Sequence, residues 1–127
     1  DLRTIIEREP ENSMALNALG YTLADRNESL DEALQLIEKA AALNPDDPAI
    51  TDSLGWVHYR LGNLELAEEY LRKAYTAYPD PEVAAHLGEV LWAQGKHREA
   101  RKIWDKSLKA DPENDIVPAT RQRLESH

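Results

Sequence analysis

The sequence predicts an all-α fold, a solenoid of antiparallel helix hairpins, and three observations carry that prediction. Gly20, Gly55 and Gly88 are 35 and 33 residues apart, Ala33, Ala67 and Ala100 are 34 and 33 apart, and Pro45, Pro79 and Pro112 are again 34 and 33 apart. Three independent markers with one period indicate a repeated supersecondary unit. Within each period a face of mostly apolar residues recurs at helical spacing on both sides of a turn, as with Leu54, His58 and Leu61 before Gly62-Asn63 and Leu64, Ala67, Leu71 and Ala74 after it. Composition agrees: 42% apolar and 31% charged residues, only 5 Gly and no Phe suit a helical protein of 127 residues, long enough to bury most of what it exposes when unfolded.

The clearest unit is residues 47–79. Pro48 suits a first helical turn, Asp47 can cap it, Gly62-Asn63 breaks the pattern, and Pro79 ends the second helix. Two such helices cannot bury their apolar faces alone, so neighbouring hairpins must cover them. Residues 1–12 align with the second helix of a preceding unit, with Leu2 and Ile5 at its core positions and Pro10 as its stop. Residues 13–47, 48–80 and 81–114 form three hairpins, and residues 115–127 a mostly polar capping helix and tail that starts at Pro118. The expectation is that the chain was cut from a longer array at its N-terminal side and that the array ends with the capping helix. His127, at the end of the tail, is assigned no function. The inner turn of the first hairpin holds one extra residue, and Ser29 with Glu32 reads as a capping box that restarts the second helix.

Each marker has a physical reason. Glycine and alanine sit where helices come closest, so a larger side chain would force the backbones apart. Proline cannot continue the second helix and sets the turn into the next unit.

The spacing resembles the tetratricopeptide repeat, with Leu-Gly in the first helix (Leu19-Gly20, Leu54-Gly55, Leu87-Gly88), Ala and then a bulky residue in the second, and a closing proline. The resemblance implies a right-handed superhelix whose concave side is lined by the first helices. Carried over position by position, the residues facing the groove are Asn17, Tyr21 and Asp25; Asp52, Trp56, Tyr59 and Arg60; and Ala85, Glu89 and Trp92, with His86 beside them. Trp56, Tyr59 and Trp92 are the expected contacts for a protein or peptide partner, because aromatic rings bring large apolar area with a polar tip. Trp104 replaces the bulky core residue of the second helix.

Some relatives of the chaperone-cofactor type hold a C-terminal carboxylate with a clamp of Lys, Arg and Asn. Here Asn17 is followed by Tyr21, Asp52, Trp56 and Ala85, so an EEVD-like tail is not expected. A basic or amphipathic segment fits better, since net charge is -9 with pI near 4.9, which also repels nucleic acid. The wording of the repeats, NALGYTLAD, DSLGWVHYRLG and AEEYLRKAY, resembles the C-terminal part of proteobacterial outer-membrane lipoproteins built from this repeat. That resemblance implies an adaptor on the periplasmic side of the outer membrane, with a carboxyl-terminal-processing protease and its substrates as partners. A cytoplasmic location and a self-association module, pairing as a homodimer through the open N-terminal end, are the alternatives.

Catalysis, metal and cofactor are not expected. Zero cysteines exclude disulfides and thiolate chemistry within these residues, and no apolar run approaches the roughly 18 residues of a membrane span. The sequence does not begin like a signal peptide, since Asp1-Leu2-Arg3 leads directly into helix-like sequence, and the expectation is that any targeting segment has been removed or lies in chain outside these residues. His58 falls where the family packs a large residue, His86 and His97 are separated by a turn, and no pair has zinc-site spacing. The run Asp111, Glu113, Asp115 lacks the glycine and distal Glu of a calcium loop and reads as a solvated turn.

Overall fold

The computed structural model describes residues 1–126 and contains eight helices and no strand among them. They are α1 (Leu2–Arg8), α2 (Ser13–Asp25), α3 (Leu30–Leu43), α4 (Pro48–Arg60), α5 (Leu64–Ala77), α6 (Pro81–Ala93), α7 (His97–Ala110) and α8 (Ile116–Glu125). Helices α2/α3, α4/α5 and α6/α7 form the three hairpins of an all-α superhelix. None of the helices is long and apolar enough to cross a membrane.

Capping follows the sequence closely. Asn12, Asp47 and Asp80 each accept a hydrogen bond from a first-turn backbone N–H, Ala15, Ala49 and Val83 respectively. Pro48 and Pro81 occupy first turns, where their missing N–H costs nothing. The tight turns of the second and third hairpins place Gly62 and Gly95 at φ of +89° and +81°.

The first hairpin departs from expectation. Its longer turn puts Asn27 and Ser29 in the left-handed region, with φ of +56° and +44°, and Ser29 makes no capping bond. A capping box needs an extended N-cap residue, so the left-handed backbone rules it out. Glu32 pairs instead with Arg3 of α1 at 2.7 Å. Two further boundaries move. In α1 it is Ile6, not Ile5, that packs on the core, and Ile5 is exposed. Helix α8 begins at Ile116, before Pro118, because the Asn114 side chain accepts from the Val117 N–H.

Inner and outer helices bury different amounts of themselves. Ile50 to His58 and Val83 to Leu91 are buried without interruption, since α4 is packed by α2, α3, α5 and α6, and α6 by α4, α5, α7 and α8. Outer helices bury one stripe each: Ala33, Ile37 and Ala40; Ala67, Leu71 and Ala74; Ala100, Trp104 and Ser107. The glycines mark the closest approach within hairpins. A Cβ on Gly55 would lie 2.5 Å from Leu71 Cγ, and one on Gly88 2.0 Å from Trp104 Nε1. Trp104 is fully buried, as the sequence predicts. Two apolar clusters form the core, one on α2–α4 and one on α5–α8, and Tyr59 packs against both.

Candidate protein-binding groove

The concave side is built by α2, α4 and α6, whose polar side chains are tied to one another across the hairpins. On α6 the spacing of Glu82, His86 and Glu89 puts all three on one stripe, two helical turns long. Opposite them α4 presents Asp52, Trp56 and Tyr59, and α2 presents Asn17, Tyr21 and Asp25.

At the centre His86 Nδ1 lies 3.0 and 3.1 Å from the two oxygens of Asp52, and Nε2 lies 3.2 Å from the Tyr21 hydroxyl. Both partners of the ion pair are buried. Burial alone would lower the His86 pKa, but the charges of Asp52, Glu82 and Glu89 and the Asp52 hydrogen bond reverse that, and the imidazole is held above its ordinary value. Burial, then the neighbouring Glu82 carboxylate, pushes the Tyr21 phenol far up, so it stays protonated. The Trp56 ring stacks on His86 with centroids 4.1 Å apart and packs against Tyr59 at 4.9 Å. Its indole N–H donates to Asp25 Oδ1 at 3.3 Å, and the Arg60 guanidinium sits 4.9 Å from its centroid while donating to the Asp25 carbonyl.

A second polar cluster lies at the other end of the α6 stripe. Buried Glu89 accepts from the Tyr59 hydroxyl at 2.9 Å and from the Arg123 guanidinium of α8. Burial and then the Glu89 charge push the Tyr59 phenol up to about 12.

The expected groove residues thus separate into groups. Asn17, Tyr21, Tyr59 and Arg60 are half-buried and border the groove. Asp52, Trp56, His86 and Glu89 are buried beneath it; Trp56, expected as a contact, is only 3% exposed because His86 stacks on its ring and Arg60 and Tyr59 pack against it. Trp92 does not join them. It stacks on His97 with centroids 3.7 Å apart, leans on Trp104 and lies under Arg101, so it faces α7 of its own hairpin. His58 is packed as expected, stacked on Tyr70 and bonded to Asn63, with burial lowering its pKa against the pull of Glu38.

Sequence reading missed Arg123, Glu82 and the cluster that Glu82 completes. Asp52, Glu82 and His86 each bring a ligand-type atom within 4.8 Å of the others, an arrangement able to meet a cation. The signal was present as the four-residue spacing of Glu82 and His86, but Asp52 comes from another hairpin. Beside this cluster a cleft of about 220 Å³ opens, lined by Asn17, Tyr21, Asp52, Asp80, Glu82 and Tyr78 among others. The Oδ1 of Asn17 is buried there without a hydrogen-bond partner.

Comparison with known proteins agrees with this architecture. A family model described as Tetratricopeptide repeat matches residues 1–48 and 23–81, and a second of the same description matches residues 81–106. TPR repeat-containing protein PA4667 of Pseudomonas aeruginosa is 67% identical over 89 residues, which is 70% of this chain. The chain spans only 15% of that relative's length, and 7% of the Escherichia coli Bacteriophage adsorption protein A, to which it is 38% identical over 72 residues. Among solved structures, a thermophilic TPR protein of Thermus thermophilus superposes with a TM-score of 0.82 at 24% identity, over 98% of this chain and 68% of that one. The first TPR of Spaghetti (RPAP3), solved bound to an HSP90 peptide, gives 0.74 at 19% identity over 90% of each chain. On the match of the family model to more than half of its residues, the chain belongs to the tetratricopeptide repeat family.

Proposed function

We propose that this chain is a non-enzymatic adaptor whose groove, lined by α2, α4 and α6, holds a basic or amphipathic segment of a partner protein. The observation that carries this reading is the polar lining of the concave side. Asp52, His86 and Glu89 are buried there and joined by Tyr21, Tyr59 and Arg123, although apolar residues of similar volume in their place would serve stability as well or better. Such groups preset the charge and shape of a surface, and the surface they preset is acidic and bordered by tyrosines. A neighbour in the fold, the RPAP3 domain, is solved with a peptide bound, which supports a peptide-binding role for this architecture.

The finer reading is that the host protein is a lipoprotein on the periplasmic side of the outer membrane and that the segment belongs to a carboxyl-terminal-processing protease or its substrate. It rests on the resemblance of the repeat wording to that group of lipoproteins. Photo-crosslinking tests both levels. A photoreactive residue at Arg60, on the groove border, is expected to capture a protein that the same residue at Glu65, exposed on α5, does not. Equal capture from both positions removes the groove from the account. Absence of saturable binding between the purified full-length protein and purified protease removes the protease alone.

A further inference from the structure

We infer that the cleft between α2, α4 and the start of α6 is a subsite for an arginine side chain carried by an extended segment of the partner. This rests on the reading of the groove as a protein-binding surface and adds the chemistry that one position of it recognises.

The α6 stripe supplies the main argument. At one end Glu89 receives a guanidinium from Arg123, with the Tyr59 hydroxyl as second donor. Two turns away on the same stripe, Glu82 is exposed and faces the cleft, and a tyrosine, Tyr21, stands beside it as Tyr59 stands beside Glu89. The carboxylate and the tyrosine recur, with the Tyr21 hydroxyl bonded to His86 Nε2, but the arginine does not. Among the described residues no lysine or arginine pairs with Glu82 or Asp80, whereas Asp25 has Arg60 and Glu89 has Arg123. Asp52 does not fill the gap, because both its oxygens are engaged by His86.

The second argument is the Asn17 carboxamide. Its Oδ1 has no partner although it is buried, and a neutral acceptor left unpaired beside a carboxylate is an address for a donor with several N–H groups. Guanidinium meets that requirement in one plane, giving one edge to the Glu82 carboxylate and another N–H to Asn17. Seven or so waters' share of liquid would fit in the cleft's volume, which leaves room for the guanidinium and its methylene stem. An anionic ligand is repelled by Glu82 and Asp80 together. A divalent cation is the competing occupant, but it would have to take a ring nitrogen of His86 and so displace either the Asp52 bond at Nδ1 or the Tyr21 bond at Nε2.

The test uses three peptides, acetyl-Ala-Arg-Ala-amide, its citrulline analogue of the same shape without charge, and its lysine analogue, together with zinc chloride, each titrated into the ¹⁵N-labelled chain. Arginine peptide is expected to move the Asn17 side-chain amide and the Tyr21 and Glu82 backbone amides. The citrulline peptide should bind at least tenfold more weakly, lysine should fall between, and Glu82→Gln, an exposed change that leaves the amide spectrum folded, should remove the arginine response. The inference is overturned if arginine and citrulline act alike, if Glu82→Gln responds as the parent does, or if zinc but not arginine moves these signals. A chain that binds the peptide in the cleft yet captures no protein through Arg60 crosslinking would sink the adaptor reading and leave the subsite standing. Capture that is indifferent to Glu82→Gln would do the reverse.

Discussion

The second and third hairpins share a register but differ in how they use it. Gly55 and Gly88 stand at the same point of their hairpins, as do Tyr59 and Trp92 four residues later. Tyr59 reaches across to Glu89 of the next hairpin and touches both apolar clusters, whereas Trp92 turns onto His97, Arg101 and Trp104 of its own. The difference lies in the neighbours. Helix α4 is followed by a full hairpin that offers Tyr59 a buried carboxylate, while the indole at position 104 of α7 presents Trp92 with an aromatic surface in its own hairpin. A repeat position therefore specifies a backbone site, and the adjacent element decides where its side chain goes.

The largest test of this contrast is at the glycines. In Gly88→Ala the new methyl meets the rigid, fully buried indole of Trp104, and in Gly55→Ala it meets the branch carbon of Leu71, which can move by rotating. We expect Gly88→Ala to cost about 3 kcal/mol and Gly55→Ala about 1 kcal/mol by urea denaturation, the two ends of the overpacking range. Gly88→Ala combined with Trp104→Leu should lose less than the sum of the single changes, because the two sites share one space. Equal costs at the two glycines would show that the hairpins are packed alike after all.

Next in size is the tyrosine. Tyr59→Phe removes one of the donors to buried Glu89, and a loss of about 1–2 kcal/mol is expected. Trp92→Phe breaks no hydrogen bond and should cost below about 1 kcal/mol, measured the same way. Should Trp92→Phe prove the costlier, the third hairpin would depend on its aromatic stack more than the second does on its groove bond.

These cases show how much was legible beforehand. Helix order, hairpin limits, the close approach at the glycines and the burial of Trp104 are local or periodic properties, and the repeat spacing exposes them. What was not legible depends on partners distant in sequence. Trp56 was expected on the surface because its position in the repeat faces the groove, but His86, 30 residues on, stacks on its ring and Arg60 lies against it. Arg123 lies in a helix read as a polar cap, and its role exists only because α8 packs on α6 beside Glu89. Ser29 looked like a cap by composition, and the extra residue in its turn rotated its backbone out of the region a cap requires.

The second and third hairpins are also tied together on both of their faces, and the two ties respond to pH in opposite senses. On the groove side the tie is His86 with Asp52, faced also by Glu82, Glu89 and Tyr21. The folded pKa of His86 is raised, so its contribution is complete below the unfolded value of about 6.5 and is lost as pH rises through the folded value. Stability measured at pH 6 and pH 9 should thus fall more for the parent than for His86→Gln, which cannot titrate. His58, lowered by burial, has the opposite sign and is common to both chains, so the difference isolates His86.

On the outer side the tie is Glu68 of α5, which accepts from Lys96 at 3.0 Å and from Gln94 at 2.8 Å, both beyond the joint, and from Arg72 in its own helix. Burial works to raise the Glu68 pKa, and these three donors overcome it and bring the carboxyl down to about 2. For a depressed acid the contribution is present above the unfolded value of about 4.3 and fades as pH falls toward about 2. Glu68→Gln should therefore be less stable than the parent at pH 7 and converge with it near pH 2, with a small gap, because two of the three donors reach solvent and salt screens them. A gap that stayed constant between pH 7 and pH 2 would mean that Glu68 holds the joint through packing, and the outer face would then join the hairpins by shape while the groove face joins them by charge.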